Sequence, residues 1–216
     1  MTAPPLVTIT RQYASGGSAV ARLAAERLGW VLIDNEFVDQ VAHLAGLPAE
    51  EVARREERAP GLLERLARTL AVASPEMFIT TAGAAAPAAP LEPDEAELVK
   101  ITERVIAEAA REGRAVLVGR GAQAMLATRS NALHAYIVAS TAWRRDIAVQ
   151  RLGVDPGAAD KVLDETDQQR DRYVKTYYGR DRQDLTQYDL VLNSERLGID
   201  GTAAVIVEEV KRRGWE

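Results

Sequence analysis

Cysteine is absent from the chain. That excludes disulfides, iron–sulfur clusters and cysteine-ligated zinc, and it suits a reducing cytosol. Histidine occurs only at His43 and His134. Neither has a carboxylate or cysteine partner at metal-ligand spacing, so both read as structural residues. No stretch approaches the roughly 20 apolar residues that a membrane-spanning helix needs, and no membrane partner is expected. Residues 1–5 carry no basic segment followed by an apolar run, so a signal peptide is not expected and a cytoplasmic location is. Basic charge is also lacking. The net charge is −5 and the isoelectric point about 5.3, whereas nucleic-acid binding calls for a basic face. A local basic pocket for a phosphorylated small molecule is still compatible with that balance. There is no internal repeat.

What is present is ordinary in amount. The 216 residues are 47% hydrophobic and 27% charged, typical of a globular chain that can bury a core without covalent staples. One α/β core with a small insertion fits the length. Residues 6–10 are short, apolar and β-branched, and predict a strand. Residues 18–28 follow with Val20, Leu23, Ala24 and Leu28 at helical spacing, stopped by Gly29. Further strands are predicted at 30–33, 115–118, 133–138 and 190–192. Helices are predicted at 37–45, 50–58, 61–72, 95–112, 142–151, 156–178 with a break near Gly157, and 202–213. Residues 82–93, mostly Ala and Pro, read as an extended or mobile loop. Five apolar strands alternating with helices predict a five-stranded parallel sheet with helices on both faces. Ligands in such sheets bind beyond the carboxyl ends of the strands. The residues to inspect are therefore 11–18, Asp34 and Asn35, 119–121, 140–145, and Asn193 with Ser194.

The first of these segments is the most informative. Thr10-Arg-Gln-Tyr-Ala-Ser-Gly-Gly-Ser joins a strand to a helix N-terminus, where unpaired backbone N–H groups and the helix dipole attract an anion. Gly16 and Gly17 let the backbone curl closely around a phosphate. Ser18 could offer its hydroxyl to a magnesium ion. Against the G-x-x-x-x-G-K-[ST] pattern, Arg11 stands at the first glycine and Gly16 at the second. Gly17 stands at the lysine and Ser18 at the Ser/Thr. The lysine that would reach the terminal phosphates is missing.

Three segments in order, Ile9 to Ser18, Leu28-Gly-Trp-Val-Leu-Ile-Asp34, and Val118-Gly-Arg-Gly-Ala122, resemble the cytidylate kinase-like family, a branch of the nucleoside monophosphate kinases. Tyr173, Tyr177-Tyr178 and Tyr188 to Ser194 extend the resemblance to most of the chain. The resemblance implies a P-loop kinase fold, 1–216, with an acceptor-binding helical insertion at 47–112 and a lid at 155–184. It implies ATP held by Ser15, Gly16, Gly17 and Ser18, with Mg2+ on Ser18. The acceptor would meet Asp34, Gly119, Arg120 and Asp167. Asn35-Glu-Phe-Val-Asp follows Asp34 in place of the family's Thr-Gly-Ala-x-Tyr-Arg type of sequence. Gly121 replaces an aspartate associated with base recognition. Asp164, Asp167 and Arg170 match a lid pattern whose first arginine is missing.

Phosphoryl transfer needs positive charge and positioning more than covalent chemistry. Arginine supplies both through its planar, always-charged fork. The catalytic candidates are Arg11, Arg120 and Arg170, with Arg11 or Arg170 expected to replace the lysine. Arg144, Arg145 and Arg151, taken singly, read as members of a solvated helix face. Tyr173, Tyr177 and Tyr178 read as packing residues. The expected activity is ATP-dependent transfer of the γ-phosphoryl group to a nucleoside monophosphate such as CMP or dCMP. A nucleotide sensor or scaffold without turnover, and a kinase of a non-nucleotide small molecule, are the alternatives. The amphipathic stretch Glu95–Glu112 could pair with a second copy in a homodimer or equally cover the sheet.

Overall fold

The segment Leu6–Arg11 is buried along almost its whole length. A strand that is apolar in both directions needs cover on both faces, which is the condition of a central parallel strand. In the computed structural model, which describes residues 4–34 and 95–215, Leu6–Arg11 forms β1 at the middle of the sheet. The strand order is β2-β3-β1-β4-β5, with β2 at Val31–Ile33, β3 at Ala115–Val118, β4 at Ala132–Val138 and β5 at Leu190–Asn193. Every pairing is parallel. Leu6 lies beside both Ala115 and Ala132, and Arg11 beside Ile137.

The helices are α1 (Gly17–Leu28), α2 (Glu95–Glu112), the single turn α3 (Ala122–Met125), α4 (Thr141–Leu152), α5 (Ala159–Tyr178) and α6 (Ser194–Arg212). A 3-10 turn at Leu185–Gln187 precedes β5. Helix α1 buries Val20, Ala21, Ala24 and Ala25 and ends at Gly29, whose φ of 65° closes the last turn. Small residues on that face let the helix lie close to the sheet. Val7, Ile9, Val116, Val118, Leu133, Ala135 and Ile137 meet α1 and the α6 residues Ala203, Ile206 and Val210 in one apolar cluster. Side chains alternate across a strand, so Leu6, Thr8, Leu117 and Tyr136 face the other way, and they too are buried. Both faces of the sheet are covered, as the sequence pattern predicts.

The chain divides into two compact units, residues 1–34 with 110–216, and residues 35–109. The helices expected at 37–45, 50–58 and 61–72, the Ala/Pro-rich stretch 82–93, and residues 47–94 of the expected insertion lie outside the described residues. Ile101, Val105, Ile106 and Ala109 of α2 are buried within the single chain.

Two helix starts and the short helix α3 go beyond the sequence reading. The last helix begins at Ser194 rather than 202, and it is kinked at Gly198, whose φ of 69° and ψ of 164° are non-helical and divide it into two helical pieces. Helix α5 begins at Ala159, just past the break that the sequence places near Gly157. The Asp155 carboxylate accepts from the amides of Gly157 at 2.9 Å and Ala158 at 3.2 Å, fixing a turn ahead of the helix. The single turn α3 was too short to carry a periodic signal.

Candidate anion site at the carboxyl end of the sheet

The turn between β1 and α1 is tied down from three sides. The Gln12 amide continues the sheet pairing by donating to the Ile137 carbonyl at 3.0 Å. The Gln12 side-chain carbonyl accepts from the Ala139 amide at 3.1 Å. The Ser15 amide and hydroxyl both return to the Gln12 carbonyl, at 3.3 and 2.9 Å. The Ser194 hydroxyl, at the start of α6, donates to the Ser15 carbonyl at 2.6 Å. Ala14 and Gly16 take left-handed φ values of 58° and 76°, the curl that an anion-binding turn requires. Val20 is the residue whose amide bonds back to the Gly16 carbonyl, at 3.0 Å. The amides of Gly17, Ser18 and Ala19 before it belong to the open helix end. Ser18 is exposed there.

The absent lysine has a steric reason. A Cβ on Gly17 would lie 2.5 Å from the Cβ of Arg11 and 3.0 Å from its Cγ. The Arg11 stem fills the space that a side chain at 17 would need. Its guanidinium crosses Gly119, where a Cβ would collide with Nη1. Burial, then the charges of Arg170 and Arg182, push the Arg11 guanidinium down to about 10, while Asp34 pulls it up. Its Nε is buried with no hydrogen-bond partner. A cation so placed is short of negative charge.

Arg120 sits at φ 49° between Gly119 and Gly121, both at 72°. Left-handed backbone at a non-glycine residue costs about 1 kcal/mol or more and clusters at functional sites. The ring of Tyr178 packs over Gly121 where a Cβ would project. Any side chain at 121, an aspartate included, requires that ring to move. Asp34 follows β2 and is half-buried. The ends of β1, β3 and β2 thus set Arg11 within electrostatic reach of Asp34, which favours its charge, and of Arg120, which opposes it.

A second group gathers under the loop. Asp167 accepts the Tyr13 amide at 2.8 Å on one oxygen and Arg144 at 2.7 Å on the other. Arg144 also donates to the Tyr13 carbonyl at 3.2 Å. Arg170 and Arg182 each donate to the Arg11 carbonyl at 3.0 Å. They stand 3.7 and 3.6 Å from Asp167. Arg182 is also paired with Asp171 at 2.5 Å. Burial lowers the Arg170 guanidinium, which Asp167 partly offsets.

Arg144 is therefore not on a solvated face. It is 6% exposed, and its partners come from residues 13 and 167, which no periodicity along α4 could reveal. Arg145 and Arg151 do lie on the exposed side of α4, where Arg145 forms a surface pair with Asp160 at 2.7 Å. Asp164 is exposed, while Asp167 and Arg170 face the loop. Arg182 is 5% exposed and belongs to the site more firmly than its place in a polar segment suggested. His134 shares a 2.7 Å hydrogen bond with the Thr8 hydroxyl inside the sheet, a structural role. Tyr173 packs on Tyr177 and Tyr178, with ring centroids 5.0 and 6.1 Å away.

Among the described residues no helix is long and apolar enough to cross a membrane, and no group of three or more His, Asp or Glu could hold a metal ion.

A model of the cytidylate kinase-like family matches residues 6–196. No curated protein matches the chain. Among solved structures, an uncharacterized protein from Eubacterium ventriosum ATCC 27560 superposes with a TM-score of 0.66 at 19% identity, over 96% of this chain and 98% of that one. Shikimate kinase from Bacteroides thetaiotaomicron superposes at 0.50 and 13% identity, over 96% and 98%. At such identities the likeness is one of fold.

Proposed function

The chain belongs to the cytidylate kinase-like family, and from that premise we propose that it is an ATP-dependent phosphotransferase acting on a nucleoside monophosphate such as CMP or dCMP. The observation that carries this reading is the under-compensated Arg11 beside an anion-binding turn. In a chain of net charge −5, five arginines and three carboxylates gather around residues 11–17 among the described residues, and the Nε of Arg11, like that of Arg144, is buried with no hydrogen-bond partner. A phosphate ester supplies the missing negative charge.

In this reading the backbone of Ser15, Gly16, Gly17 and Ser18 holds the β- and γ-phosphates. The Ser18 hydroxyl would hold Mg2+, which supplies charge neutralisation on the phosphate oxygens. Arg11, rather than Arg170, takes the part of the lysine, because Arg170 spends Nη1 on the Arg11 carbonyl. Preorganised charge of this kind is the main aid a protein gives to phosphoryl transfer. Asp34, Gly119 and Arg120 would meet the acceptor. The 155–184 region, packed against the loop through Asp167, Arg170 and Arg182, would keep water from competing for the phosphoryl group.

The test is ADP production with magnesium and ATP across an acceptor panel containing CMP and dCMP. Turnover with CMP or dCMP supports the proposal, and Arg11→Ala should then lose about 100-fold or more in kcat/KM, the scale of one lost charge-stabilising donor. Turnover only with a non-nucleotide acceptor replaces the acceptor assignment. ATP binding without ADP release on any acceptor selects a sensor, the role that the missing lysine favours. No nucleotide binding at millimolar concentration removes the reading altogether.

A further inference from the structure

Asp167 resembled an acceptor-binding lid residue in the sequence. Both of its oxygens are instead turned inward, and its side chain is 15% exposed. One oxygen holds the Tyr13 amide at 2.8 Å, and the other holds Arg144 at 2.7 Å. Its backbone carbonyl accepts from Arg182 at 3.3 Å. The arginines gathered there grip the loop by its carbonyls: Arg144 on Tyr13, and Arg170 and Arg182 on Arg11. The backbone of residues 11–13 is therefore held on its N–H side by a carboxylate and on its C=O side by guanidinium groups, all from α4, α5 and the segment after α5.

We propose that Asp167 is a positioning residue: it sets the conformation of the anion loop from helix α5, by anchoring the Tyr13 amide and by keeping Arg144, Arg170 and Arg182 under the loop. The chemistry follows from geometry. An anion loop works when its free amides converge before the anion arrives. Peptide planes are rigid, so pinning the Arg11 carbonyl, the Tyr13 N–H and the Tyr13 carbonyl fixes three successive peptide units. The units that follow, toward Gly16, inherit that orientation. Asp167 acts through the loop and touches no substrate.

The inference rests on the anion-loop reading above, so its test separates the two. The probe is tripolyphosphate, which carries no base or sugar. Removing Asp167 alone would strand the buried Arg144, so the main variant replaces both by apolar residues, Asp167→Leu with Arg144→Met, an exchange that a buried pair tolerates. Expected are a melting temperature close to the parent's, Tyr13 amide exchange at least tenfold faster by NMR, and a tripolyphosphate Kd at least tenfold weaker. Asp167→Asn retains an oxygen for the Tyr13 amide and should fall between the parent and the double variant. A folded double variant with unchanged Tyr13 protection, or with equal or tighter tripolyphosphate binding, overturns the proposal. Should the double variant not fold, an Asp167→Asn protein with unchanged tripolyphosphate affinity overturns it instead. If the parent protein binds no tripolyphosphate, the anion-loop reading fails, and Tyr13 exchange alone still decides whether Asp167 holds the loop.

Discussion

Gly17 and Arg11 occupy one space between them. A lysine at 17 must drive the Arg11 stem aside, and overpacking of this kind costs about 1–3 kcal/mol. Gly17→Lys alone should therefore lower the melting temperature measurably. Adding Arg11→Gly should recover most of the loss and place an amine at the helix end. Equal melting temperatures for the single variant and the parent would show that the space is not shared. The two residues stood out in the sequence as departures from a pattern, but their contact was not legible, because it depends on the curl of the turn. Arg144 was illegible for a related reason. Arg145 beside it on α4 is exposed, and the carboxylate that pairs with it lies 23 residues further along the chain.

At the scale of elements, helix α6 carries two separable devices. Its first turn is capped by Asn193, whose side-chain oxygen accepts from the amides of Glu195 and Arg196 at 3.1 and 3.2 Å. Asn193→Ala should cost about 1 kcal/mol, read by chemical denaturation. Its last turn is held by Glu209, which pairs with Arg212 at 2.6 Å and Arg213 at 2.7 Å. Hydrogen bonds from Arg212 and then Arg213 hold the Glu209 carboxyl down at about 2. A carboxyl lowered on folding stabilises above its unfolded value, near 4.3. The contribution fades as pH drops through that value toward 2. The melting-temperature gap between the parent and Glu209→Gln should be present at pH 7 and close across that window. A gap of constant size down to pH 2 would mean that the pairs do not act through charge. Strands were the most legible elements, since each is a short apolar run bounded by turn residues. Helix ends were the least, because Gly198 and the Asp155 turn act through backbone geometry rather than periodicity.

For the whole molecule, the five-stranded parallel sheet follows from five strands alternating with helices, and that much the pattern foretold; the strand order β2-β3-β1-β4-β5 it did not. The site lies where such topology opens, beyond the strand ends. A ligand that binds the folded form alone stabilises it by mass action. Tripolyphosphate at 100 times its Kd contributes about 2.7 kcal/mol, or a rise of roughly 5–10 °C for a chain of this size. A thermal shift assay showing no rise at millimolar tripolyphosphate would deny the loop an anion. The order of synthesis adds a last consequence. The loop lies at residues 12–16, but Tyr13 is held by Asp167, 154 positions later, and Ser15 by Ser194, 179 positions later. At roughly 5–20 residues per second, the ribosome needs about 10–40 s between making the loop and making its anchors. The segment that leaves the ribosome first is therefore among the last to take its working shape, and a nascent chain halted before residue 167 should carry the loop's sequence without its grip on phosphate.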